Sequence, residues 1–169
     1  VQLADLGATS GKNGPILEIK QTVVSSTVSD SVAQNTWEDI SGLSVSITPS
    51  SATSKILVFY KAVVAGTAGS YTSFLRIVRD STAVGLGDAS GSQIRASSSL
   101  ATDEDNYDHA VHHNIFLDNP GTTSATTYKL QWRSSYAGET FYLNRSVSTG
   151  DSAHWATQIS HITVMEVAA

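Results

Sequence analysis

The chain contains no cysteine. This absence removes a disulfide framework, thiol catalysis and any zinc–thiolate site at once. A small external protein without disulfides must find stability elsewhere, and oligomerisation is the usual route. Basic residues are also sparse. Ten Lys and Arg, spread thinly, stand against fifteen Asp and Glu and give a net charge of −5. Nucleic-acid binding needs a clustered basic footprint, so no such partner is expected. Long apolar runs are missing too. Nothing approaches the ~20 residues of a membrane span, so no membrane insertion is expected, and no secretory leader is evident.

What the chain does have is hydroxyl and β-branched chemistry. Serine and threonine make up 44 of its 169 residues. Abundant Thr, Val and Ser with few charges suit short strands and polar turns, and disfavour long helices and disorder. A chain of this length makes one domain and buries about 70% of its unfolded surface. Because it begins at Val1 rather than methionine, it reads as the ordered or excised part of a longer polypeptide. Residues 1–15, VQLADLGATSGKNGP, are small, polar and Gly-punctuated, the composition of an arm or linker. Residues 16–169 form the expected folded domain.

Within that domain, alternation of period two marks the strands. Ile16, Glu18 and Lys20 alternate with Leu17 and Ile19 in a first strand over 16–27, followed by a polar connection over 28–35. Segments 37–40 and 43–47 flank Ser41-Gly42 as a broken strand or tight hairpin. Residues 55–66, KILVFYKAVVAG, are apolar on both faces, which places them between two layers or against a neighbouring subunit. Further strands are expected over 71–80, 109–117, 141–146 and 159–167, with 85–92 and 147–152 as loops and 95–108 polar. The stretch 116–132, FLDNPGTTSATTYKLQW, reads as a hairpin. Its Asp118-Asn119-Pro120-Gly121 reverses the chain, and Tyr128, Leu130 and Trp132 then alternate with Lys129, Gln131 and Arg133. About eight to ten strands with frequent turn signals predict an all-β antiparallel sandwich of jelly-roll type. Without βαβ alternation, a parallel sheet is not expected. Buried residues should include Leu57, Phe59, Leu75, Ile77, Leu117, Leu130, Trp132, Phe141, Leu143, Ile162 and Val164, with Trp37 also in the core.

Few residues announce chemistry. The acidic run Asp103-Glu104-Asp105-Asn106-Tyr107-Asp108 could offer oxygens to Ca²⁺, but it lacks the glycine and terminal glutamate of an EF-hand loop and reads as a solvated loop. On a strand, His109 and His113 share a face with Val111 while His112 points the other way. Such histidines could hold a transition metal around a threefold axis, but half-buried, hydrogen-bonded roles are commoner. No metal or cofactor is expected. Trp37, Tyr71, Tyr107, Tyr136 and Trp155 sit near predicted turns, where aromatics can stack on sugars or anchor an interface. No GxSxG elbow, HExxH or Walker loop is present, so an enzyme is not expected. Asn144-Arg145-Ser146 matches a glycosylation sequon but falls in a predicted strand.

Five phrases, in order, resemble one family. They are SVSITPSSATSKILV (44–58), RDSTAVGLGDASGSQIRAS (79–97), FLDNPGTTSATTYKLQW (116–132), FYLNRSVS (141–148) and ISHITVMEV (159–167). Together they look like the C-terminal β domain of bacteriophage tail-fibre and virion appendage proteins of marine and cyanophage type. The likeness spans residues 16–167. Two features depart from it: Ser160-His161 stands where Ser-Thr is expected, and the loop 148–156 lacks an arginine. The resemblance implies a homotrimeric virion protein at a fibre tip, joined through its N-terminal arm to other virion proteins and recognising a host-cell glycan or protein. The resemblance supplies no contact residues; from their place in predicted loops, Tyr107, Tyr136, His154 and Trp155 are the expected receptor contacts, Tyr136 and Trp155 having small polar neighbours. A capsid decoration or head-fibre protein and a glycan depolymerase are the alternatives.

Overall fold

A computed structural model describes residues 15–67, 72–101 and 108–169. The arm 1–14, Tyr71, Tyr107 and nearly all of the acidic run lie outside the described residues. The described residues form eleven strands: β1 Ile16–Val24, β2 Val28–Val32, β3 Glu38–Ile47, β4 Lys55–Gly66, β5 Thr72–Arg79, β6 Thr82–Val84, β7 Ser98–Ala101, β8 Ala110–Asp118, β9 Thr126–Arg133, β10 Glu139–Leu143 and β11 Ser160–Val167. They form two antiparallel sheets. One runs β1-β11-β4-β10-β2 with β8 also on β4, and the other runs β3-β9-β5-β6 with β7 also on β5. The fold is therefore an all-β antiparallel sandwich.

The long strand β4 organises the first sheet. Along Ile56–Val64 one edge pairs with β8. The opposite edge pairs with β11 from Lys55 to Lys61 and then with β10 from Val64 to Gly66. The sheet thus forks where β10 and β11 part. Asn144 plugs the fork. Its Nδ2 donates to the carbonyls of Val24 (2.8 Å) and Ser26 (2.9 Å). Its Oδ1 accepts from Ser160 Oγ at 2.6 Å, and that oxygen accepts from Val63 N–H at 3.0 Å. Asn144 and Ser160 are fully buried, so every polar atom here needs a partner, and each of these has one. Asparagine tolerates the left-handed backbone at this position, φ 66°.

The core lies between the sheets. Ile56, Val58, Tyr60, Ala62 and Val64 of β4 face Leu75 and Ile77 of β5 and Tyr128, Leu130 and Trp132 of β9, with Trp132 tilted on Phe141 at 5.3 Å. Asp118 is buried at the core's rim, where it accepts from Arg79 and from the Tyr128 hydroxyl, each at 2.7 Å. Burial and the adjacent Asp118 carboxylate push the Tyr128 hydroxyl well above its ordinary pKa and keep it a donor.

Several sequence expectations need correction. Residues 116–132 are not a hairpin: β8 pairs with β4 and β9 with β3 and β5, so Asp118–Gly121 carries the chain from one sheet to the other. Turn chemistry fixes reversal but not which neighbour the next strand finds. The polar connection 28–35 contains β2, whose exposed Ser29, Asp30 and Ser31 lie on an outermost strand paired only with β10. Of the two forms expected for 37–40 and 43–47, the hairpin is absent and the broken strand is present, as β3 with a bulge at Gly42, φ 81°. The polar stretch 95–108, for which no strand was expected, contains the short strand β7. Leu57, Phe59 and Leu117 are not core residues; they lie on the outer face of the first sheet, because alternation alone cannot rank two apolar faces. Trp37 is half-buried outside the core, with the Arg76 guanidinium 4.4 Å from its ring centre.

Candidate functional site

The two sheets present opposite chemistry to solvent. On the outside of the five-stranded sheet, Arg76 donates twice to Gln131 Oε1 (2.8 and 2.7 Å), Gln131 donates to Asp39 (2.6 Å), and Lys129 pairs with Asp39 (2.7 Å). That face is a solvated polar ladder. The outside of the six-stranded sheet is apolar. Its rows follow directly from strand register. Ile19, Met165, Leu57 and Leu117 form one row across β1, β11, β4 and β8, and Gln21, Thr163, Phe59 and Ile115 form the next. Val23, His161, Lys61 and His113 form the third. Ile115 is 71% and Leu117 54% exposed, and Val23 and Val111 are exposed beside them.

A continuous apolar sheet face of this kind is unusual on a lone chain, where exposed apolar side chains are normally scattered. Among the described residues strand β8 also leaves one edge without a strand partner, and no Lys or Pro lies along its nine residues to blunt that edge. The carboxylates of β1, β11 and β8, Glu18, Glu166 and Asp118, share the inner-face row with Ile56, so among the described residues the outer rows of β1, β11, β4 and β8 carry no acid.

The residues singled out from sequence fall elsewhere. Tyr136 is 45% exposed in the turn before β10, where its N–H donates to Ser134 Oγ at 2.9 Å. His154 is exposed and Trp155 half-buried in the loop between β10 and β11, with Trp155 packed close to Gly150. The Asn144 plug and Gln158 N–H donating to Asn144 O (3.0 Å) close the base of that loop. The loop leaves from the fork, level with Val24, the end of β1 away from Ile16. The turn holding Tyr136 precedes Glu139, beyond the last residue of β4, at that same end.

The three histidines separate. His109 is exposed and contacts Gln158 at 2.8 Å. His113 faces outward on the apolar face. His112 is fully buried between Ser73 Oγ (2.8 Å from Nε2) and Ser98 Oγ (2.9 Å from Nδ1), with Ser98 also 2.9 Å from the Tyr60 hydroxyl. Burial, then the neighbouring His113, pulls the His112 pKa down to about 4, so the ring is neutral in the folded protein at pH 7. A Ser–His pair sealed from solvent and ending on a second hydroxyl instead of a carboxylate lacks the orienting acid of a hydrolytic triad. Among the described residues no three His, Asp or Glu side chains group to hold a metal ion. Sequence reasoning missed Asn144 and the outer-face row His161–Lys61–His113. The first looked like a strand residue, and the second needs the register of three strands.

Comparison with known proteins is thin. No protein-family description matches the chain, and no curated protein matches it. Among solved structures, one of infectious bursal disease virus, Gx strain, is similar over 90% of this chain and 37% of that one, at 14% identity and a TM-score of 0.44. The chain therefore spans little more than a third of that protein.

Proposed function

We propose that this domain is a structural protein of a bacteriophage virion, the tip domain of a tail fibre, assembled as a homotrimer and binding the host cell surface. The observation that carries the assembly is the apolar outer face of the six-stranded sheet, with Ile115 and Leu117 left open to water. Burying such side chains contributes about 1.5–3 kcal/mol each, which a lone cysteine-free chain would forgo. The occupant proposed is the same face of two further copies. Residues 1–14 lead into β1, the last strand on one side of that sheet, so packing three such sheets together also gathers three arms for attachment to other virion proteins. The five phrases quoted above support the fibre assignment. The strand order supports a jelly roll, since β1-β11-β4-β8 stands against β3-β9-β5-β6. The loops holding Tyr136, His154 and Trp155, at the end away from Ile16, are the proposed contacts to a host glycan or protein. The role is binding, without catalysis.

Sedimentation of the wild type and of Ile115→Asp tests the assembly. Ile115 makes little use of its own chain, so aspartate there leaves a monomer's fold intact and dissociates only a complex built on this face. A wild-type trimer and a folded variant monomer are expected. A well-folded wild-type monomer would overturn the trimer and weaken the fibre assignment with it.

A further inference from the structure

The apolar face has one polar row. His161, Lys61 and His113 are Cα partners across β11, β4 and β8, and directly opposed residues in an antiparallel sheet hold their Cβ atoms about 4.5–5.5 Å apart. His161 meets Phe59 edge-on at 6.3 Å, and its Nδ1 is buried without a hydrogen-bond partner among the described residues. Burial, then Lys61, lowers the His161 pKa. Among the described residues no carboxylate is paired with this row. On β1 the neighbours are Val23 and Gln21; on β4 they are Phe59 and Lys61; on β8 His113 completes the row. Other ionisable side chains flank the face. Exposed Asp108 and His109 precede β8, Lys55 stands at the Ile16 end, and Arg145 is stacked 3.9 Å from the Tyr142 ring centre. Lys55 and Arg145 are cations.

We propose that the His113–Lys61–His161 row makes self-association of this face pH-dependent. Copies pack together while the imidazoles are neutral and separate when they take up protons. This rests on the self-association proposed above and adds its regulation. In the assembled state each protonated imidazole would sit against Lys61 in a space emptied of water, with no carboxylate paired to the row among the described residues, so the bound proton is disfavoured relative to the free chain. Linkage then sets the sign. The separated chains bind more protons, and lowering pH through the histidine range drives separation.

The test is sedimentation velocity on the full chain at about pH 7.5 and about pH 5.5, on either side of the ordinary histidine pKa. It compares the wild type with the His113→Gln/His161→Gln double variant, with circular dichroism confirming the fold. Wild-type association is expected to weaken at least about tenfold at the lower pH, the factor that one pKa unit of linked proton uptake gives. The double variant is expected to associate equally at both. Should it fail to fold, His113→Gln alone, at an exposed position, is expected to shrink the pH response. His112 is present in every protein compared, so its own effect on folding cancels. A wild type assembled equally at both pH values overturns this inference and leaves self-association standing. A wild type monomeric at the higher pH removes self-association itself. A variant with the wild-type pH response overturns the assignment to this row.

Discussion

Acid should unfold this protein through one residue more than any other. His112 is fully buried, and its two ring nitrogens meet only hydroxyls, those of Ser73 and Ser98. Those hydroxyls satisfy a neutral ring in either tautomer, but no carboxylate is present to balance an imidazolium. With the folded pKa lowered to about 4 and the unfolded one at the ordinary 6.5, the unfolded chain holds the extra proton between those two values. Stability is therefore full above pH 6.5, falls as pH drops through the window, and changes no further from this group below pH 4. The gap corresponds to about 3 kcal/mol, a large part of the ~5–15 kcal/mol that holds a typical domain together. His161, also lowered, adds a smaller loss of the same sign. Urea unfolding followed by tryptophan fluorescence, repeated across this pH range, measures the loss. His112→Leu isolates it. In that variant Ser73 keeps the Leu100 carbonyl and Ser98 keeps Tyr60, so neither hydroxyl is stranded. The variant should lose about 3 kcal/mol less than the wild type between the two ends of the window. Parallel pH profiles for the two proteins would refute the reasoning.

Two further substitutions probe the frame. Asn144→Ala strips the fork of three hydrogen bonds, taking a donor from the Val24 and Ser26 carbonyls and an acceptor from the buried Ser160 hydroxyl, at a cost of about 3 kcal/mol in denaturant unfolding, roughly 1 kcal/mol for each bond. A loss under about 1 kcal/mol would show that water or backbone movement replaces the plug. Gly85 has φ 61°, and a Cβ there would stand 2.9 Å from Phe116 Cγ. Gly85→Ala should therefore lower the melting temperature by the equivalent of about 1–3 kcal/mol, and an unchanged melt would mean that Phe116 yields freely.

How much of this was legible in the chain depends on the range of the signal. Alternation in 126–133 gave β9 its inner face of Tyr128, Leu130 and Trp132. That signal is local, and it was readable. The jump of Asp118–Gly121 between sheets was not, because a turn motif carries no record of the strand waiting beyond it. The phase of β8 was open for a similar reason. Val111, Ile115 and Leu117 are as apolar as a core face, whereas the inner positions hold His112 and Asn114. A rule that sends the greasier face inward picks the wrong side here, and it fails where the proposed interface lies. Asn144 was hidden because its partners, Val24, Ser26 and Ser160, are brought to it only by the whole fold.

Ile16 pairs with Val167, and just outside that pair Ala168 N–H donates to Pro15 O at 2.8 Å. The backbone thus enters and leaves this body through a single corner, like a loop of string held between two fingers. A polypeptide with that geometry can be spliced into a host sequence without stretching either side, and its ends can be joined by a short linker while a new opening is cut in the exposed stretch 88–92. It also means that tension applied between the two ends is borne first by the pairing of β1 with β11, opened one rung at a time from Ile16, while tension between the arm and the distal loops has to travel through the length of the sandwich.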